Sequence, residues 1–465
     1  MNVPKIKARK YLRYSIFLEN LNEVASKEPH RLSRCFMDSF LLQGPVRQVE
    51  VAESSTTKIL NTLLPPEKHM RPKLLLTTRN MAHTAVVVGA GLFISAIPLS
   101  SAFAGETAST FVDQAQVQAD AQAHQTWREN VRQFAPQAQG CYHASYPNLK
   151  WSKVECGPVS GYVSSRRKTS HAAQQDAASN VKHAGEQVVG SGYDFSAQAP
   201  SGKLISEAVG SFPTVTGVKT EKGAGVAAYG GGGILGANQY TLQLNTNMDG
   251  NSAACAGYSG CNSWQQYIVV SDDVNAAGTA LTGTTDVFIQ TWLENYGQDV
   301  DGGNTNICPS GFTDAGADSN GGSGDDCYEN SPATVIAKQL PITALASLTL
   351  SGTANSNGTD TATAVYGTEA YSSSTADANS DIANGWTETE FNVVGNAGGS
   401  RADFNSGSSM TVKVALTDGS NSAPTCVGPS NGGTTGETNN LNIGKCTASA
   451  GSSSTSPAIQ FTQSD

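Results

Sequence analysis

Histidine is missing from the chain after residue 183. Residues 184–465 therefore hold no imidazole, which removes Ser-His-Asp and Cys-His nucleophile systems and His-rich zinc sites from that stretch. If it is an enzyme, carboxyl and amide side chains must do the chemistry. Positive charge is scarce as well: residues 204–465 carry 6 basic residues against 24 acidic ones, a net of −18. Without clusters of Lys and Arg to neutralise phosphates, nucleic acid is excluded as a partner. A chain with few bases also gains little positive charge when its carboxylates protonate, so it escapes much of the self-repulsion that unfolds proteins in acid. Long apolar runs are lacking too. The run Ala85–Pro98, interrupted by Gly89 and Gly91, falls short of the ~20 residues that span a bilayer.

That run has a different meaning. Arg71, Lys73 and Arg79 precede it and Ala102-Phe103-Ala104 follows, so residues 70–104 read as a secretory signal cleaved before Gly105. Residues 1–69 are polar, show no clear periodicity, and read as an upstream extension outside the mature protein. The expected product is a secreted protein, free of the membrane after signal cleavage and monomeric. Residues 105–465 hold 15 basic and 32 acidic residues, a net of −17. Eight of the nine cysteines fall in this part, in four close pairs, which predicts local bridges 141–156, 255–261, 308–327 and 426–446 in an oxidising compartment. No CxxC spacing occurs, so no zinc site is expected, and neither metal nor cofactor is implied.

Residues 107–138, rich in Ala and Gln, predict a helix. Beyond it short period-two segments dominate, such as Tyr240-Leu242-Leu244, Val287-Ile289, Leu348-Leu350 and Met410-Val412-Val414-Leu416, divided by Gly/Asn/Ser/Asp clusters. The pattern predicts an all-β fold over 184–465, an antiparallel β-sandwich or jelly roll, behind a short helical N-terminal segment. Residues 105–183 differ in composition: they contain Arg166-Arg167-Lys168 and the histidines His124, His143, His171 and His183. They read either as a prosegment whose attachment depends on acidity or as an ordinary helical extension.

Two strands could carry chemistry. Thr285–Gly297 places Phe288, Gln290, Trp292 and Glu294 on one face, and Trp386–Val394 places Glu388, Glu390 and Asn392 on one face. A Glu general base could activate water while a Gln amide donates to the developing oxyanion of a peptide carbonyl. Trp264, Trp292, Glu294 and Glu388 are assigned to the substrate-binding surface. Asp299–Asn304 offers calcium-like oxygen ligands but has Asn304 where an EF-hand loop needs Gly. The glycines 230–233 lack the Lys-Ser/Thr of a phosphate cradle and read as a turn.

Thr389-Glu390-Phe391-Asn392-Val393-Val394, followed by Ala402-Asp403-Phe404, resembles the A-E-[FW]-I-[IV]-E … A-x-F stretch of the eqolisins, the fungal glutamic peptidases. Ile289-Gln290-Thr291 resembles their I-L-Q-T-G strand, and Trp264–Val269 takes the place of their W-V-G-I-D-G strand. Trp292–Gly297 offers a counterpart of their W-Y-E-W-Y-P strand, in competition with the segment assigned to Gln290. The resemblance covers about 260–416 and implies a concanavalin-like sandwich and an acid-acting endopeptidase of polypeptide substrates, with Glu390 as general acid/base and Gln290 as its oxyanion partner. Thr389 stands where the family has Ala, and Val394-Gly395 lacks its Glu-Asp continuation. Two other readings remain: a non-catalytic carbohydrate-binding or surface sandwich with Trp264, Trp292 and Trp386 stacking on sugars, and a glycosidase using Glu388 and Glu390, if their carboxyl groups converge to ~5–5.5 Å.

Overall fold

Alternating apolar residues in 184–465 need a partner surface, and they find it by packing sheet on sheet. The computed structural model describes residues 114–163, 188–190, 192–227, 231–298, 307–318, 321–430, 433 and 435–465. The upstream extension, the signal, Gly230, Arg166-Arg167-Lys168, His171, His183 and Asp299–Asn304 lie outside them. Two large sheets, one of 13 strands and one of nine, form the sandwich, and all but one short strand pair are antiparallel. The predicted helix is observed as Gln114–Gln133 and ends shortly before Pro136. Its Trp127 and Val131, one turn apart, bury against Ala144, Val365 and Ala370.

The nine-stranded sheet runs in the order Thr313–Ala317, Asp325–Asn330, Thr284–Tyr296, Asn262–Val270, Tyr240–Thr246, Glu388–Gly395, Ser196–Gln198, Thr425–Val427, with Thr334–Lys338 pairing the start of Thr284–Tyr296. Period-two alternation divides its side chains. Leu242, Leu244, Tyr267, Val269, Val287, Ile289, Phe391 and Val393 point into the core shared with the 13-stranded sheet, where Phe212, Leu350, Met410, Val412 and Phe461 meet them. The residues between them, Gln243, Asn245, Gln266, Gln290, Glu390 and Asn392, share the opposite face.

The sheet framework begins before residue 184. Gly140–Ser145 pairs with Glu369–Ala376 at an edge of the 13-stranded sheet, and Ser152–Val154 pairs with Gly140–Ser145 in turn.

All four predicted disulfides are present: Cys141–Cys156, Cys255–Cys261, Cys308–Cys327 and Cys426–Cys446. The last joins Thr425–Val427 of the nine-stranded sheet to Thr438–Ser449 of the other, so it ties the two layers at one end. Replacing Cys426 and Cys446 together with Ser is expected to lower unfolding stability by about 2–4 kcal/mol, read as a shift in the denaturant midpoint. An unchanged midpoint would show that the core alone holds the layers together.

Candidate active site

Register brings the candidate residues into one line. Glu390 lies opposite Asn245, Asn245 opposite Gln266, Gln266 opposite Gln290, and Gln290 opposite Asn330. Directly paired residues project to the same face, so five carboxyl or carboxamide side chains form a row across the sheet. All but Asn330 are at most 2% exposed. Glu390 and Gln290 thus share a face but are not on neighbouring strands, because two strands intervene. At about 4.8 Å per strand, their backbones stand roughly 14 Å apart and those of Glu390 and Gln266 roughly 10 Å.

The carboxylate of Glu390 accepts from Asn245 Nδ2 at 3.3 Å and from the Thr435 backbone N–H at 3.3 Å. Gly433, in the left-handed region with φ +79°, lies so close that a Cβ there would sit 2.1 Å from Glu390 Oε2, which only a glycine permits. Beside Glu390 is a second buried carboxyl, Asp194. Burial, and after it the charge of Glu390, raise the Asp194 pKa well above the usual range, against the opposing bonds from Asn392 Nδ2 and the Phe195 N–H, both 2.8 Å.

The amides differ in how they are engaged. Gln290 is fully used: its Nε2 donates to Tyr162 O at 2.9 Å and Asn330 Oδ1 at 2.8 Å, and its Oε1 accepts from Trp292 Nε1 at 2.8 Å. Gln266 donates from Nε2 to Gln243 Oε1 at 3.2 Å, while its Oε1 has no hydrogen-bond partner among the described residues. Asn245 Oδ1 and Trp264 Nε1 are likewise buried and unpartnered among them. Three such atoms on neighbouring positions of one face, next to a carboxyl group, form a polar seat suited to a water or a substrate amide. Gln266, Asn245 and Asp194 were not singled out in the sequence. For Gln266 a signal existed: it alternates with Trp264 on the same face of its strand.

Trp264 and Trp292 stack on this face with ring centroids 6.4 Å apart, and Tyr328 meets Trp292 at 5.2 Å. Trp386 lies in the inter-sheet core against Tyr267, so its ring is not on this face. All three indoles are fully buried and offer no open face to a sugar ring. Glu294 is buried one residue pair beyond Trp292, opposite Asn262. Glu388, on the Glu390 side of its strand, is partly exposed and accepts from Ser196 Oγ.

Two segments lie over the face. Residues 433 and 435–437 cover Glu390, with Thr435 Oγ1 donating to Gln243 Oε1 and Gln243 Nε2 donating to Glu437 Oε2 at 3.1 Å. Residues 157–163, within the N-terminal segment, cover the Gln290 side. No protein-family model, curated protein or solved structure matches the chain.

Proposed function

We propose that the protein is a secreted, acid-acting glutamic peptidase in which Glu390 is the general base and then the general acid. The row of Glu390, Asn245 and Gln266 carries this reading, since it gathers on one face a buried carboxyl and two carboxamides whose oxygens have no hydrogen-bond partner among the described residues. The carboxylate takes a proton from water as the water oxygen attacks the peptide carbonyl carbon. Glu390 then passes that proton to the amide nitrogen, the C–N bond breaks, and a carboxylic acid and an amine leave. Gln266 is the nearer amide partner, two strands from Glu390, and its Nε2 is the donor available to a developing oxyanion once it turns from Gln243.

The strand order supports the same assignment within the eqolisin resemblance. If Trp292–Gly297 is the counterpart of the W-Y-E-W-Y-P strand, then Trp264-Gln265-Gln266-Tyr267, on the neighbouring strand, takes the place of the Gln-bearing one. Four disulfides, and no helix among the described residues long and apolar enough to cross a membrane, fit an extracellular setting.

Single replacements separate the two glutamines. Gln266→Leu is expected to lower kcat on denatured protein by about 10²–10³-fold, as loss of one oxyanion donor does elsewhere. Gln290→Leu is expected to act mainly through KM, because its amide grips main-chain carbonyl oxygen rather than the polar seat beside Glu390. Steady-state kinetics at acid pH give both numbers. The reverse pattern would return the catalytic role to Gln290.

A further inference from the structure

We propose that residues 157–163 are a built-in pseudosubstrate, and that the seat of Tyr162 is a substrate subsite selective for an aromatic side chain. The inference rests on the peptidase reading for its consequence and on separate contacts for its geometry. The segment runs over the face as a peptide would be held. Gln290 Nε2 and Asn330 Nδ2 converge on Tyr162 O at 2.9 and 2.8 Å, and Asn330 Nδ2 also donates to Ser160 O at 2.9 Å. Two carboxamides on one backbone carbonyl is how an amide row would grip a substrate main chain. The backbone continues this pattern: the Gly161 N–H donates to Val274 O at 3.2 Å, and the Gly398 N–H donates to Val163 O at 3.2 Å. A Cβ on Gly161 would sit 2.2 Å from Asn275 O, so the segment is pressed against the body.

The side chain is read as well. Tyr162 is fully buried among Ile268, Val270, Val274, Phe288, Ala333 and Ala397, with Phe288 edge-on at a centroid distance of 5.7 Å. At the end of this apolar seat its hydroxyl accepts from Gln243 Nε2 at 2.9 Å, and Gln243 also bonds Gln266. An apolar slot closed by one polar amide suits Tyr, and Phe less well. The seat therefore connects directly to the row that holds Glu390.

A cut on its C-terminal side would leave the segment held from one side only, through Cys156, its bridge to Cys141 and the sheet strand Gly140–Ser145. Cys141–Cys156 closes within the N-terminal part, and the other three disulfides lie wholly within 255–446. One cut between residues 164 and 187, where Arg166-Arg167-Lys168 stands, would leave no covalent bond between residue 163 and the catalytic face.

The test places a site-specific protease sequence at 166–168 of the mature chain and compares uncut with cut protein at acid pH. Cutting is expected to raise turnover of denatured protein by about tenfold or more, and a synthetic peptide of residues 155–163 should return the cut protein to the uncut rate. The same peptide with Ala in place of Tyr162 should bind at least about tenfold more weakly, as loss of one buried aromatic anchor predicts. Labelled peptides titrated onto the cut Glu390→Gln protein read this binding without any turnover. Equal rates before and after the cut, or equal binding of the two peptides, would overturn the proposal. Tyr-dependent binding to a cut protein that hydrolyses nothing would uphold the aromatic seat and discard the peptidase reading instead.

Discussion

Glu390→Gln is expected to lower hydrolysis of denatured protein at about pH 3.5 by roughly 10³-fold or more, since it removes the group that moves the proton and changes almost nothing else. Of the hydrogen bonds the side chain receives, those from Asn245 Nδ2 and the Thr435 N–H end on Oε1. A glutamine carbonyl can accept both in the same place. The substitution also removes a like charge beside Asp194, whose proton affinity Glu390 helps to raise. Folding stability should thus hold steady or rise while activity disappears. That combination separates a catalytic group from a structural one, because a carboxylate serving the fold would lose stability along with activity. Full activity in the variant would remove Glu390 from the mechanism, and a large drop in melting temperature would assign it to the fold.

The face that holds Glu390 was legible because strands alternate. Trp292 and Gln290 on one segment, and Glu388 and Glu390 on the other, could be placed on common faces from spacing alone, and the structure places them so. Strand order was not legible, since it depends on which distant segments pair. Tyr240–Thr246 and Asn262–Val270 come between Glu390 and Gln290, which moves Gln266 and Asn245 toward the carboxyl and Gln290 away from it. Burial was also hidden. Trp264 and Trp292 look like an open aromatic platform in the sequence, yet both are fully buried. The covering itself could not be read, because residues 433 and 435–437 belong to a Gly/Thr-rich stretch whose only distinctive member is Glu437. Cysteine pairing was easier, since each bridge closes a short loop and the near neighbour in sequence is also near in space.

The acidity that suits the proposed chemistry is also expected to suit the fold, and the effect should be large. Burial, followed by the charge of Asp403, pushes Glu221 up to about 8 against a backbone hydrogen bond. Burial and then the charge of Asp273 push Asp286 up to about 7, and burial and then the charge of Asp377 push Asp360 up to about 8. Asp194, Asp273 and Asp377 shift in the same direction, each chiefly by burial. A carboxyl that holds its proton more tightly folded than unfolded contributes stability that is complete below the ordinary carboxyl range near pH 4. That contribution is lost as pH climbs toward 7–8, where the buried group must ionise. Charge repulsion works in the same sense, because residues 105–465 carry 32 acidic and 15 basic residues and their net negative charge grows with pH. With each pKa unit worth about 1.4 kcal/mol, even a third of the linkage from Glu221, Asp286 and Asp360 amounts to about 5 kcal/mol, or an apparent Tm about 7 °C higher at pH 3.5 than at pH 8. Most proteins show the reverse, losing stability as paired carboxylates protonate. Calorimetry across that range measures it directly. A Tm that rises from acid to neutral pH would mean that these carboxyl groups are ionised in the folded protein and held by charge pairing, contrary to their buried, base-poor surroundings. Asp360→Asn isolates one contribution: it should flatten the pH dependence while leaving stability at pH 3.5 nearly unchanged, because the neutral amide replaces a carboxyl already neutral there.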